Sequence, residues 1–125
     1  MPARARDDRG AVAAAVAVMP MVLLLFFTVM QISFWYHGRS VATAAAHHAL
    51  EAARSYESTP GDGEAAANEF LAMAGGVETA EPHVQLVDGG ETVEVTVEAQ
   101  PVSVVPGLTK SITVTLRGPV ERLVE

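Results

Sequence analysis

From Ala11 to Phe34 the chain runs for 24 residues without a single Asp, Glu, Lys, Arg or His. Coiled as an α-helix at about 1.5 Å per residue, that run is roughly 36 Å long, more than the ~30 Å hydrocarbon core of a bilayer. A soluble core helix this apolar would need covering on every face, which the 89 residues after Tyr36 could hardly supply. A secretory signal has a shorter apolar stretch, about 7–15 residues, followed by a small-residue cleavage site. Here the run ends instead in Phe34-Trp35-Tyr36, an aromatic cluster suited to the membrane–water interface. The sequence therefore predicts a retained, single-pass transmembrane helix over residues 11–36, with membrane lipid as its first partner.

Orientation follows from the flanks. Arg4, Arg6 and Arg9 precede the run, whereas Arg39 is the one basic residue soon after it. Basic residues stay on the cytoplasmic side, so residues 1–10 read as a cytoplasmic leader and the C-terminal part as lying outside the cell membrane. From His37 onward there are thirteen acidic and five basic residues, a formal −8. This acidic balance speaks against nucleic acid as a partner, which calls for a basic patch. The absence of cysteine removes disulfides, thiolate metal sites and thiol nucleophiles. No P-loop, G-x-S-x-G or H-E-x-x-H is present. His47, His48 and Glu51 form the only clustered set worth weighing. His47 and Glu51 share a helix face at i and i+4, but a catalytic zinc needs three protein ligands around an open position. They read as ordinary helix residues, and the expectation is a non-enzyme with no cofactor, no metal and no catalytic residue.

The apolar run has two textures. Residues 11–18 are Ala and Val only, while Met21–Phe27 is bulky throughout. Small side chains let helices approach closely in lipid, which makes Ala11, Ala14 and Ala15 candidates for helix packing. Pro20, at the junction, deletes one backbone hydrogen bond and predicts a kink.

Helical composition continues outside. Ser40–Tyr56 is Ala-rich and free of Pro and internal Gly, which predicts one long helix from about 11 to 56, weakened near Pro20 and Gly38. Ser58-Thr59-Pro60-Gly61-Asp62-Gly63 ends it, and Asp62 is placed to cap a short helix over about 63–73 that closes at Gly75-Gly76. Residues 37–76 thus form an extracytoplasmic helical region. Beyond it, over 77–125, the hydrophobic period becomes two. His83–Val87 is a short candidate strand, and Asp88-Gly89-Gly90 a hairpin turn. Glu91–Ala99 sets Val93, Val95 and Val97 against Thr92, Glu94, Thr96 and Glu98. Lys110–Arg117 sets Ile112, Val114 and Leu116 against Thr113 and Thr115. Pro101 and Pro106-Gly107 mark the crossing between these last two strands. One apolar and one solvated face suit a three-stranded antiparallel sheet packed on a helix, with Glu91, Glu94 and Glu98 facing water. The fold class is α+β: a long N-terminal helix, a short second one, then a small sheet.

An Arg-bearing leader ending in Arg9-Gly10, a small-residue apolar run, then Pro20 and a bulky apolar stretch together resemble the TadE-like minor pseudopilins of tight-adherence (Flp-type) pilus systems. Tyr36-His37-Gly38-Arg39 and the Ala-rich stretch through Glu51-Ala52-Ala53-Arg54 fit the same family, and the acidic, Ala-rich composition is similar to its actinobacterial branch. The resemblance covers about residues 9–54. It implies that a prepilin peptidase cuts between Gly10 and Ala11. It further implies that the mature helix joins other pilin or pseudopilin subunits and an inner-membrane assembly platform, as part of a pilus or a related secretion machine. That family carries a Glu early in the apolar segment, where this chain has Ala14 and Ala15. The resemblance then implies assembly with a different subunit that brings its own carboxylate. A membrane-anchored extracytoplasmic binding or regulatory module is the alternative from another class.

Overall fold

The computed structural model describes the backbone of residues 2–55, 57–105, 107 and 110–120, with side chains described from Arg9 onward. Helix α1 runs from Pro2 to Arg54, α2 from Pro60 to Ala74, and the strands are β1 Val77–Val87, β2 Thr92–Pro101 and β3 Ile112–Pro119. The sheet is antiparallel in the order β1-β2-β3. The α+β layout of long helix, short helix and three-stranded sheet is the one expected. The expected helix limit at Tyr56 and the turn residue Pro106 lie outside the described residues, as do residues 121–125 of the sheet region.

α1 is helical without interruption through both Pro20 and Gly38. Its outer half is a stripe of small residues: Ala42, Ala45, Ala46, Ala49 and Ala53 are all buried, and Val41 and Leu50 extend the face. Spacings of three and four put these on one side of a helix. Because they are small, the sheet's apolar face comes close, and Val93, Val95, Val97, Ile112 and Val114 pack directly on them. Gly38 belongs to this contact. A Cβ there would stand 3.1 Å from Ile112 Cδ1 and 3.4 Å from Pro101 Cβ and from Val77 Cγ1. The residue that costs helix propensity is thus the one that lets the sheet begin right where the apolar run ends.

The structure corrects several boundaries. α2 starts at Pro60, not near 63, because Thr59 and not Asp62 is its N-cap. Thr59 Oγ1 accepts from the Asp62 N–H at 3.3 Å, and Asp62 Oδ2 accepts from the Thr59 N–H at 2.8 Å, a reciprocal capping box. Gly75, with φ 67°, closes the helix. β1 begins at Val77 and not at His83. Pro82 hides this in the sequence, but β1 is an edge strand, where a residue without an N–H is tolerated. β3 begins at Ile112, two residues later than expected. The β1–β2 hairpin turns through Asp88-Gly89-Gly90 as expected, with φ of 54°, 72° and 91°.

Candidate functional site

The dominant surface feature is the inner half of α1. Met21, Val22, Leu23, Leu24 and Leu25 are each 50–70 % exposed. Five consecutive helical positions sweep through about 400°, so no face of this segment is covered. Val12, Val16, Val18, Met19, Phe26, Phe27, Val29 and Ile32 are exposed too. By length and composition this is the one helix among the described residues able to cross a membrane, and none of its most apolar window is buried. Ala11, Ala14, Ala15 and Pro20 lie on this bare segment, as do Gly10 and the Gly10-Ala11 bond. A Cβ at Gly10 would meet nothing within 4 Å. All of these residues are exposed, with no other described element of the chain over them.

Where the bare segment ends, the packed part begins at once. Gln31 is buried, Trp35 packs against the core, and the Tyr36 ring meets Trp35 edge-on at 5.2 Å. The Arg39 guanidinium lies 5.7 Å from the Trp35 ring, a cation–π contact. Aromatic and cationic side chains at this level are what a helix leaving a bilayer displays.

His47, His48 and Glu51 are exposed on α1. The structure does not bring them together as a ligand set: His48 instead stacks on Phe70 of α2, ring centres 4.7 Å apart. A group that the sequence did not single out lies on the sheet. The register sets Glu81 directly opposite Glu98, and with His83, two residues along β1, their ligand atoms fall within 4.8 Å of one another. All three are exposed, and His83 is 4.0 Å from Glu81. The i, i+2 spacing of Glu81 and His83 was visible in the sequence, but the β1–β2 register that adds Glu98 was not. With no burial to orient them, they belong to the solvated face. On that face Glu94 accepts from Gln85 Nε2 at 2.8 Å and pairs with Arg117 at 2.5 Å. The Gln85 hydrogen bond, helped by Arg117 and opposed by partial desolvation, holds the Glu94 carboxyl below its ordinary value.

None of the family models, curated proteins or solved structures compared with the chain matches it. The fold and the surface thus define a class and no further: an α+β protein whose one long helix carries a packed domain on its outer half and a bare apolar segment on its inner half.

Proposed function

We propose that this chain is a non-enzymatic, single-span membrane protein, N-terminus in the cytoplasm and domain outside, serving as a pseudopilin-like part of a tight-adherence pilus or related secretion assembly. The observation that supports this most is the uninterrupted helix from Pro2 to Arg54, bare at one end and clothed in a sheet at the other. Arg9 and Arg39 bracket the bare segment thirty residues apart, about 45 Å along the axis, which is the thickness of a bilayer with its headgroups. Function on this reading is mechanical. The Ala11, Ala14 and Ala15 surface packs against partner helices, and the sheet presents a face outside.

Processing at Gly10-Ala11 would expose an α-amino group, largely charged at neutral pH and costly in lipid unless paired. Cleavage also removes Asp7 and Asp8, and the first carboxylate of the remaining chain is Glu51, so a partner subunit supplies the pairing group and the assembly is heteromeric. Co-expression with a prepilin peptidase is expected to give a mature protein starting at Ala11, and Gly10→Val to block the cut. A native protein that keeps Met1 or Pro2 in the presence of active peptidase overturns the pseudopilin mechanism. The anchored binding module then becomes the better reading, with the Glu81, His83 and Glu98 face as its first candidate surface.

A further inference from the structure

Gln31 is the only buried polar residue among those described, at 4 % exposure, and it sits at the outer end of the apolar run. Its amide is spent entirely on one loop, the connection between β2 and β3. Nε2 donates to the Val102 carbonyl at 3.1 Å, while Oε1 accepts from the N–H groups of Val104 at 2.8 Å and Val105 at 3.2 Å. The Ser103 N–H donates to a Glu78 carboxylate oxygen at 3.4 Å. In water such a loop has no need of these partners, because solvent satisfies its backbone. In lipid it does, since irregular backbone at membrane depth persists only where protein groups satisfy it.

Depth agrees with this. Counted from Ala11 at about 1.5 Å per residue, Gln31 lies about 30 Å along the helix, at the outer edge of the hydrocarbon core. Centring the span between Arg9 and Arg39 moves that edge to about residue 34, which leaves Gln31 within the outermost turn. β2 descends toward this level, since Pro101 lies against Gly38, whereas β3 meets Arg54 at its other end. Composition agrees as well. Residues 102–109, Val-Ser-Val-Val-Pro-Gly-Leu-Thr, carry no charge within an otherwise acidic exported part. The segment is followed at once by Lys110, which lines an open groove of roughly 400 Å³ with Thr28, Ile32, Trp35 and Tyr36. A lysine there can lay its stem on the aromatic rings and lift its ammonium to a phosphate.

We propose that the β2–β3 loop is a second membrane contact: Val102–Val105, clipped by Gln31, sit in the outer-leaflet interface, and Lys110 pairs with a phospholipid phosphate. The inference rests on the single-span reading above, and the test separates the two. The chain has no cysteine, so single nitroxide labels can be placed by Val104→Cys in the loop, Leu24→Cys mid-span and Leu86→Cys at the far end of the sheet. With the full chain in phosphatidylcholine–phosphatidylglycerol vesicles, the ratio of oxygen to nickel-chelate accessibility is measured at each. The Val104 label is expected several-fold above the Leu86 label and below the mid-span Leu24 label. Adding Gln31→Ala is expected to drop it to the Leu86 level, and Lys110→Glu to shift it toward water. A lipid-like Leu24 label with a water-like Val104 label overturns the loop contact and leaves the span intact. A water-like Leu24 label overturns both. A Val104 label shielded from both reagents points to a protein partner on the loop and also overturns the inference, and an unchanged depth in Lys110→Glu overturns the phosphate pairing.

Discussion

Where α2 crosses α1, Gly63 faces the α1 backbone, and adding one methyl group there tests the packing of the whole domain. A Cβ at Gly63 would lie 2.8 Å from the Ala49 carbonyl oxygen, 2.9 Å from Ala53 Cβ and 3.2 Å from Val84 Cγ2. The first two belong to a rigid helix and cannot give way without moving α2 bodily. Gly→Ala inside a helix gains about 1 kcal/mol of propensity, while overpacking a close contact costs about 1–3 kcal/mol. With two immovable neighbours the clash wins, and Gly63→Ala is expected to destabilise the domain by about 1–2 kcal/mol. Gly61 is the internal control. Its Cβ would meet nothing nearer than Thr59 Oγ1 at 3.6 Å, so Gly61→Ala keeps only the propensity gain. Amide hydrogen exchange of β2, measured on the full chain in detergent micelles, reads the difference. Gly63→Ala should speed exchange about 5–30-fold, while Gly61→Ala should leave it unchanged or slower. If both variants protect β2 equally well, α2 does not approach α1 at this distance and the packing argument is wrong.

Three further outcomes follow from the same geometry. Thr59→Ala removes half of the capping box and is expected to cost about 1 kcal/mol, read as faster exchange in the first turn of α2. Because the folded-state pKa of Glu94 is depressed, its contribution to stability is present above the unfolded carboxylate value, ordinarily 4.5, and is lost as pH falls through the lower folded value. NMR titration of the Glu94 carboxyl should show both Gln85→Ala and Arg117→Gln raising its pKa; no rise in either variant removes the network. Replacing exposed His47 and Glu51 with Ala should leave thermal unfolding almost unmoved, whereas His48→Ala loses its stack on Phe70, worth about 0.5–1.5 kcal/mol on the scale of an aromatic pair. Loss of a bound metal when His47, His48 and Glu51 are all replaced by Ala would refute the reading of these three as plain helix residues.

Strong periodicity made the larger elements legible. The 24-residue uncharged run forms helix and the alternation of Val93, Val95 and Val97 with polar neighbours forms a strand, both as expected. What the sequence hid were places where one residue overrides a local rule. Pro82 shortens the expected β1 because proline normally ends a strand, and only the edge position, a tertiary fact, permits it. Gly38 looks like a weak point because its value lies in contact with Ile112 and Pro101, more than sixty residues away. Asp62 looks like the cap because it is the stronger capping residue in isolation, while Pro60 at the first helical position favours Thr59. The surface group of Glu81, His83 and Glu98 depends on strand register, which a two-residue period leaves open to shifts of two. Gln31 was passed over inside the apolar run, although a lone amide there already posed the question of what satisfies it.

Alanine has two opposite settings on the same helix, and their difference carries the functional argument. From Ala42 to Ala53 the small surface is fully covered, and its small size is what brings the Val and Ile side chains of β2 and β3 into contact with the helix. From Ala11 to Ala17 the same residue type is exposed, with no described element of this chain beside it. The sheet starts packing at Gly38, next to the last aromatic of the apolar run, so no flexible spacer separates the two settings. A domain attached this way cannot swing freely. Its height and rotation follow those of the bare segment, because the helix is continuous from Ala17 to Gly38. A tethered binding domain gains nothing from such stiffness, since reach favours a flexible linker. A subunit that must register one helix against its neighbours and display a face at a set angle depends on it, and this supports the proposed role as an assembly component.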